Sequence, residues 1–337
     1  MTKRERTIAA IAHKDSDVCP WNIDLTQQAR DALVEYTGDP AYPEKMGNHL
    51  ISAHCGAPQV ELTDKPGYWK DYFGVVWNKT GADKDIGVIE GLNLLDADLS
   101  CYKFPETPEE EIRKNCEWTL ANAGDKCTVA AIGFSMFERA WTLRGMENLL
   151  VDMVADEEFV HELLDAICEH NLKIIEVALE YPFDGFYFGD DWGQQKGLIM
   201  GPGHWRRFIK PRVARMYDRV RREGKFVIQH SCGDIHEIFG DVIDIGLNVY
   251  QTFQPEIYNL REVKATVGQN LGFWGGISTQ RDLPFVSPHE VKRIARETIG
   301  IMGKGGGYIA APTHAVPFDV PPQNIVALVE AFQNQMS

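Results

Sequence analysis

From residue 127 onward the chain repeats one unit: a short, almost wholly apolar run, then a longer stretch with helical periodicity. The apolar runs occupy 127–133, 184–188, 226–229, 247–250, 271–274 and 307–310. Helical periodicity covers 145–180, about 203–222, 234–244, 259–267, 288–302 and 322–335. Buried strands alternating with amphipathic helices give parallel βαβ units. An early strand near 18–23 makes seven, and an eighth is expected near 52–60 or inside 68–95. Polar residues follow each strand at once: Asp24 the first, Ser135, Glu138 and Arg139 the second, Asp190 and Asp191 the third. His230 and Cys232 follow the fourth, Gln251 and Gln254 the fifth, Ser278, Gln280 and Arg281 the sixth, and Thr313 and His314 the last. In a closed barrel such strand ends converge on one mouth, whereas an open doubly wound sheet gathers only a few of them at its switch point.

The fold class expected is therefore α/β, a (β/α)8 TIM barrel, with residues 1–337 as a single domain. No Gly-x-Gly-x-x-Gly motif follows any strand, and the glycine run at 303–307 sits where a helix should stop. The first ~20 residues carry apolar positions at helical spacing, and a second helix is expected over 26–37. Residues 68–95 read differently. Two short β-type runs, 72–77 and 86–89, flank the turn-rich 78–81, so a β-hairpin inserted on the barrel is expected there. A helix starts in the 105–108 segment and runs to about Ala123.

Composition removes several function classes. A net charge of -15 is the wrong sign for a nucleic-acid surface. No stretch approaches the ~18 uninterrupted apolar residues of a membrane span. The apolar run at 8–11 is too short for a signal-peptide core, so a cytoplasmic protein is expected. Seven cysteines at scattered spacings give no disulfide framework, and a chain that is 44% hydrophobic can build its own core.

The segment Gln229-His-Ser-Cys-Gly233 carries the strongest chemical signal. Positions i and i+2 of a strand share a face, so His230 and Cys232 present an imidazole and a thiol side by side. Both are favoured zinc ligands, and Gly233 lets the backbone turn away. A buried histidine beside a packed cysteine is the structural alternative. His314, at the end of a later strand, is the candidate third ligand, or else a substrate-binding residue. Asp190 and Asp191 are candidate catalytic groups: adjacent carboxylates repel, which raises one pKa and makes a proton donor, although a helix-capping aspartate has the same sequence appearance. Trp192 is expected in the pocket wall and Gln254 against substrate. Asp24 either lines the mouth or caps the helix that starts near Thr26.

From about Asp184 to Phe332 the chain resembles the uroporphyrinogen decarboxylase superfamily, in particular its methyltransferase-like branch. The matching stretches are Gly189-Asp-Asp-Trp-Gly-Gln194, Lys210-Pro211, Gly224 through His230-Ser-Cys-Gly233, Gly275-Gly-Ile277 and Asp319-Val-Pro-Pro-Gln-Asn324; Phe73-Gly-Val-Val-Trp77 also looks familial. The resemblance implies either of two chemistries, cofactor-free decarboxylation or zinc-dependent methyl transfer with a corrinoid protein or a thiol. The metal motif of the methyltransferases is a His-x-Cys pair plus a later Cys. His230 and Cys232 match the pair, no cysteine follows Cys232, and His314 stands in about the expected place. The decarboxylases carry an arginine-rich motif after the first strand. Here Cys19-Pro-Trp-Asn-Ile-Asp-Leu25 has no arginine and offers Asp24, which would repel a polycarboxylate tetrapyrrole.

The reading that follows is a zinc methyltransferase acting on a small molecule, with a separate corrinoid protein as partner and a homodimer implied by the resemblance. Zinc would polarise or deprotonate a substrate oxygen, nitrogen or sulfur. The alternative enzyme is a metal-independent decarboxylase or lyase with His230 or Asp190 as proton donor. A binding or scaffold protein that has lost chemistry is the third class, and the dense polar ring argues against it.

Overall fold

The computed structural model describes residues 1–81 and 87–335. Its centre is a curled sheet of seven parallel strands, adjacent in chain order: β1 Leu50–His54, β2 Cys127–Ile132, β3 Gly185–Gly189, β4 Phe226–His230, β5 Val249–Phe253, β6 Gly272–Ile277 and β7 Tyr308–Pro312. The two edges are bridged by residues 20–22. Ala310 N donates to Pro20 O (2.8 Å) and Asn22 N to Ala310 O (3.0 Å) on one side, and His49 N donates to Trp21 O (2.9 Å) on the other.

Two sequence expectations change here. The run at 18–23 forms only an isolated bridge, Trp21 to Ala310, rather than a strand. Pro20 has no N–H to extend a ladder. The missing strand is β1, which pairs in register with β2 from Leu50–Cys127 to His54–Ala131. The inserted unit is also larger than a hairpin: Val60–Glu61, Tyr68–Lys70, Val76–Asn78 and Val88–Ile89 form a four-stranded antiparallel sheet. Ile86, expected in its second run, lies outside the described residues.

The strands β5 to β7 are buried at every position, as a sheet covered on both faces requires. Alternate residues build two cores. Leu50, Val129, Ile228, Val249, Trp274 and Ile309 form an inner cluster, closed at one end by Ile8 and Ile11 of the helix Lys3–Ile11. The residues between them pack outward on the helices. This two-residue period carries straight into the site. Phe226 and Ile228 belong to the inner cluster, so His230, two residues on, also faces inward, at the strand's C-terminal end.

Helix ends are set by ordinary caps. The Thr26 hydroxyl accepts from Ala29 N, and Gly38 at φ 65 closes Gln27–Thr37. Thr26 therefore does the capping that Asp24 was a candidate for. The helix Pro288–Met302 stops at the glycine run, where Gly305, Gly306 and Gly307 all have positive φ. Among the described residues no helix is long and apolar enough to cross a membrane.

Candidate metal centre

His230 ends β4 and Cys232 follows it. His314 follows β7. One ligand atom from each of the three side chains lies within 4.8 Å of the other two. The His230 and His314 rings are 5.9 Å apart between centroids and nearly perpendicular, at 73°. The Cys232 sulfur lies 3.7 Å from His230 Nε2.

The other ring nitrogen is already committed. His230 Nδ1 donates to Gln251 Oε1, on the neighbouring strand β5. That same oxygen accepts from the Tyr187 hydroxyl at 2.9 Å. A histidine fixed in this way keeps its Nε2 lone pair on the side of Cys232, as an outer-shell partner of a metal ligand does. Burial opposes a proton on His230, but Tyr187, Asp191 and Cys232 outweigh it and raise the imidazole well above its ordinary value. Asp191 sits 3.2 Å from Nε2. Its carboxyl resists burial yet is held below the usual carboxylate range by His230 and by the Cys232 N–H, which donates at 2.7 Å. A surround that favours a proton on Nε2 also favours a cation in its place. The donor set is one thiol and two imidazoles, so these residues fit zinc.

The turn that carries Cys232 is braced on all sides. Gln254 Oε1 accepts from Gly233 N (2.8 Å), and the Tyr250 hydroxyl donates to Ser231 O (2.9 Å). Gly233 has φ 78, and a Cβ there would overlap the backbone of Gly193 and Gln194. Gln254, expected against substrate, is buried and holds this turn through its side-chain oxygen.

The two aspartates separate. Asp191 joins the cluster. Asp190 is fully buried and accepts from Met136 N (3.2 Å), Phe137 N (3.0 Å), Glu138 N (2.8 Å) and the Trp192 indole. It pins the first turn of the helix Phe137–Arg144. Burial pushes its carboxyl up to about 6 against the pull of those four donors, so it is ionised at neutral pH. Trp192, expected in the pocket wall, is fully buried in the core against Trp205, at 5.3 Å between rings. Its size and its indole N–H brace Asp190 rather than contact solvent. Asp24 is exposed and accepts from Asn22 Nδ2 (3.0 Å).

Glu138 is the group not singled out from sequence. Partial burial, with the Asp191 and Asp190 carboxylates close by, pushes it up to about 8, which favours its neutral form. Its polarity was visible among the residues that follow the strands; its half-buried place beside two aspartates was not. Gln251 and Tyr187 likewise gain their roles only from the neighbouring strands.

A parallel α/β sheet whose strand ends collect a thiol, two imidazoles and carboxyl groups defines an enzyme mouth. The family description uroporphyrinogen decarboxylase (URO-D) matches residues 95–335, well over half of the chain, and the chain belongs to that family of enzymes. Among solved structures it is similar to a methyltransferase from Methanosarcina mazei, at 18% identity and a TM-score of 0.76, with 100% of both chains covered. It is also similar to a candidate vitamin-B12 independent methionine synthase from Listeria monocytogenes, at 12% identity and a TM-score of 0.50, with 96% of this chain and 99% of that one covered. At these identities the likeness establishes the fold. No curated protein matches the chain.

Proposed function

We propose that the chain is a zinc-dependent methyltransferase that moves a methyl group between a small molecule and a corrinoid protein or a thiol. The observation that carries this reading is the convergence of His230 Nε2, the Cys232 sulfur and His314, with Gln251 fixing the remaining nitrogen of His230. The Methanosarcina neighbour, described as a methyltransferase, supports it. The residues bridging the sheet edges support reading the fold as an eight-membered (β/α)8 barrel.

In this reading His230, Cys232 and His314 hold the ion. Zinc, when bound, supplies a Lewis acid that lowers the pKa of a substrate thiol, hydroxyl or amine. Asp191 keeps the Cys232 turn and the His230 ring in register. Glu138 supplies or accepts the proton, because it is the carboxyl beside the cluster whose neutral form is favoured, while Asp190 positions the turn that carries it. A separate corrinoid protein as partner, a homodimer and a cytoplasmic location belong to the same proposal. No observation among the described residues favours the metal-free decarboxylase reading.

The test uses zinc-loaded protein with free methylcobalamin and a panel of small thiols. Methyl passes from cobalt to the thiolate, leaving cob(I)alamin and a thioether, and the change is followed by absorbance. Zinc-dependent turnover that is lost in Cys232→Ser is expected. Turnover that persists unchanged in Cys232→Ser contradicts the role given to the cluster.

A further inference from the structure

A cavity of about 270 Å³ lies between the C-terminal ends of β1 and β2 and the inserted antiparallel sheet. It uses none of the metal cluster's residues. Four aromatic side chains wall it: Tyr72, Phe73, Trp77 and Phe134. The Trp77 and Phe134 rings are 5.5 Å apart at 57°. Phe134 reaches this place at φ 49, a left-handed backbone conformation that a bulky side chain rarely adopts. Strain of that kind persists where the surrounding structure enforces it, and it gathers at binding sites.

His54 lines the same cavity. It ends β1, and the two-residue period from Leu50 of the inner cluster puts its side chain on the strand's inner face. Its carbonyl accepts from Asn115 Nδ2 (3.0 Å), which holds the strand end. The side chain is exposed, and its ring makes no hydrogen bond, ion pair or ring contact among the described residues. The charged side chains around it are already engaged. Arg139 Nη1 donates to Asp71 Oδ2 (2.8 Å), with both side chains buried, so that pair leaves no charge for a ligand to balance. Lys79 also lines the cavity and has an interaction of its own.

We infer that this cavity binds a small uncharged phenol, its ring among the four aromatic side chains and its hydroxyl on the His54 imidazole. The aromatic walls argue for a planar body. The volume allows one substituted ring, since an apolar cavity of roughly 150 Å³ already holds benzene. A neutral imidazole offers one donor and one acceptor nitrogen, and a hydroxyl can pair with either. A carboxylate can only accept, and it would enter beside an Arg139 whose charge Asp71 already meets. Binding here is independent of the methyltransferase reading, because no residue of the cluster takes part.

Calorimetry with 4-methylphenol, toluene and 4-methylbenzoate tests this on wild type, His54→Leu, His54→Gln and Cys232→Ser, at about pH 8, where an ordinary imidazole is neutral. The phenol is expected to bind about 3–10-fold more tightly than toluene, the size of one neutral hydrogen bond, and more tightly than the carboxylate. His54→Leu should remove the preference over toluene. His54→Gln, which keeps a donor and an acceptor, should retain part of it, and Cys232→Ser should keep it whole. His54 is exposed, so its variants should melt with the wild type. A phenol that does not bind wild type, or binds no more tightly than toluene or the carboxylate, overturns the inference. So does a preference that survives in His54→Leu, or one lost in Cys232→Ser, because the ligand would then belong to the metal cluster.

Discussion

Replacing Gly233 by alanine places a methyl group where two backbones meet. The new Cβ would lie under 3.0 Å from the Gly193 carbonyl carbon and oxygen and from the Gln194 nitrogen. None of these is a side chain that can swing aside, so the Cys232 turn must withdraw from the 193–194 loop by roughly 1 Å to reach normal contact. Withdrawal pulls on three hydrogen bonds: Asp234 N to Gln194 O (2.7 Å), Cys232 N to Asp191 Oδ1 (2.7 Å) and Gly233 N to Gln254 Oε1 (2.8 Å). The left-handed φ costs ~1–2 kcal/mol and the overpacking ~1–3 kcal/mol, about 2–5 kcal/mol together. For a chain of this size that lowers Tm by roughly 3–7 °C. Gly224→Ala is the matched control: its φ is 69, but a Cβ there meets nothing within 4 Å. It should show the φ cost alone, about 1–3 °C. Thermal melts of the two variants separate steric overlap from backbone strain. Zinc affinity, by competition with a chelator, should fall ~10–100-fold in Gly233→Ala and hold in Gly224→Ala. The packing argument fails if Gly233→Ala melts no lower than Gly224→Ala and binds zinc like wild type.

Two further outcomes concern the groups around the cluster. Glu138 is raised to about 8 by burial and by Asp191 and Asp190, so its acid form is present below that pH and is lost above it. If it delivers the proton, kcat/KM declines as pH rises through about 8, and Glu138→Gln loses both the activity and that limb of the profile. The same raised value adds stability that is fully present below the ordinary carboxylate range and lost as pH rises towards about 8, so between those limits the melting temperature of Glu138→Gln should fall less with rising pH than that of wild type. Gln251→Leu leaves His230 Nδ1 and the Tyr187 hydroxyl without their shared acceptor. Zinc affinity should drop ~10–100-fold, and an unchanged affinity in chelator competition would remove Gln251 from the metal's support.

The later half of the fold was legible because its strands are short apolar runs with no competing period, and the helix at 288–302 was read to the residue. The early half misled for local reasons. Leu50-Ile-Ser-Ala-His54 carries a serine and a histidine, so its strand character comes from pairing with Cys127–Ile132 rather than from its own composition. The run at 18–23 has strand-like residues, but Pro20 limits it to a bridge. At the site, the His230–Cys232 pair followed from the two-residue period of a strand, and the structure brings His314 to it. What the sequence could not separate was Asp190 from Asp191. Neighbours in the chain point to opposite faces, and only the packing of the helix Phe137–Arg144 gives one of them four donors and the other a histidine. The burial of Trp192 and Gln254 was hidden for the same reason: it is decided by elements distant in sequence.

The central claim is that His230, Cys232 and His314 together hold a zinc ion needed for activity. Metal analysis of protein purified under reducing conditions, with methyl transfer assayed on the same samples, tests it most directly. Wild type should carry one zinc per chain, with Cys232→Ser losing most of it, His314→Ala losing a substantial part, and activity falling in step. Wild-type protein that is active without zinc would contradict the claim.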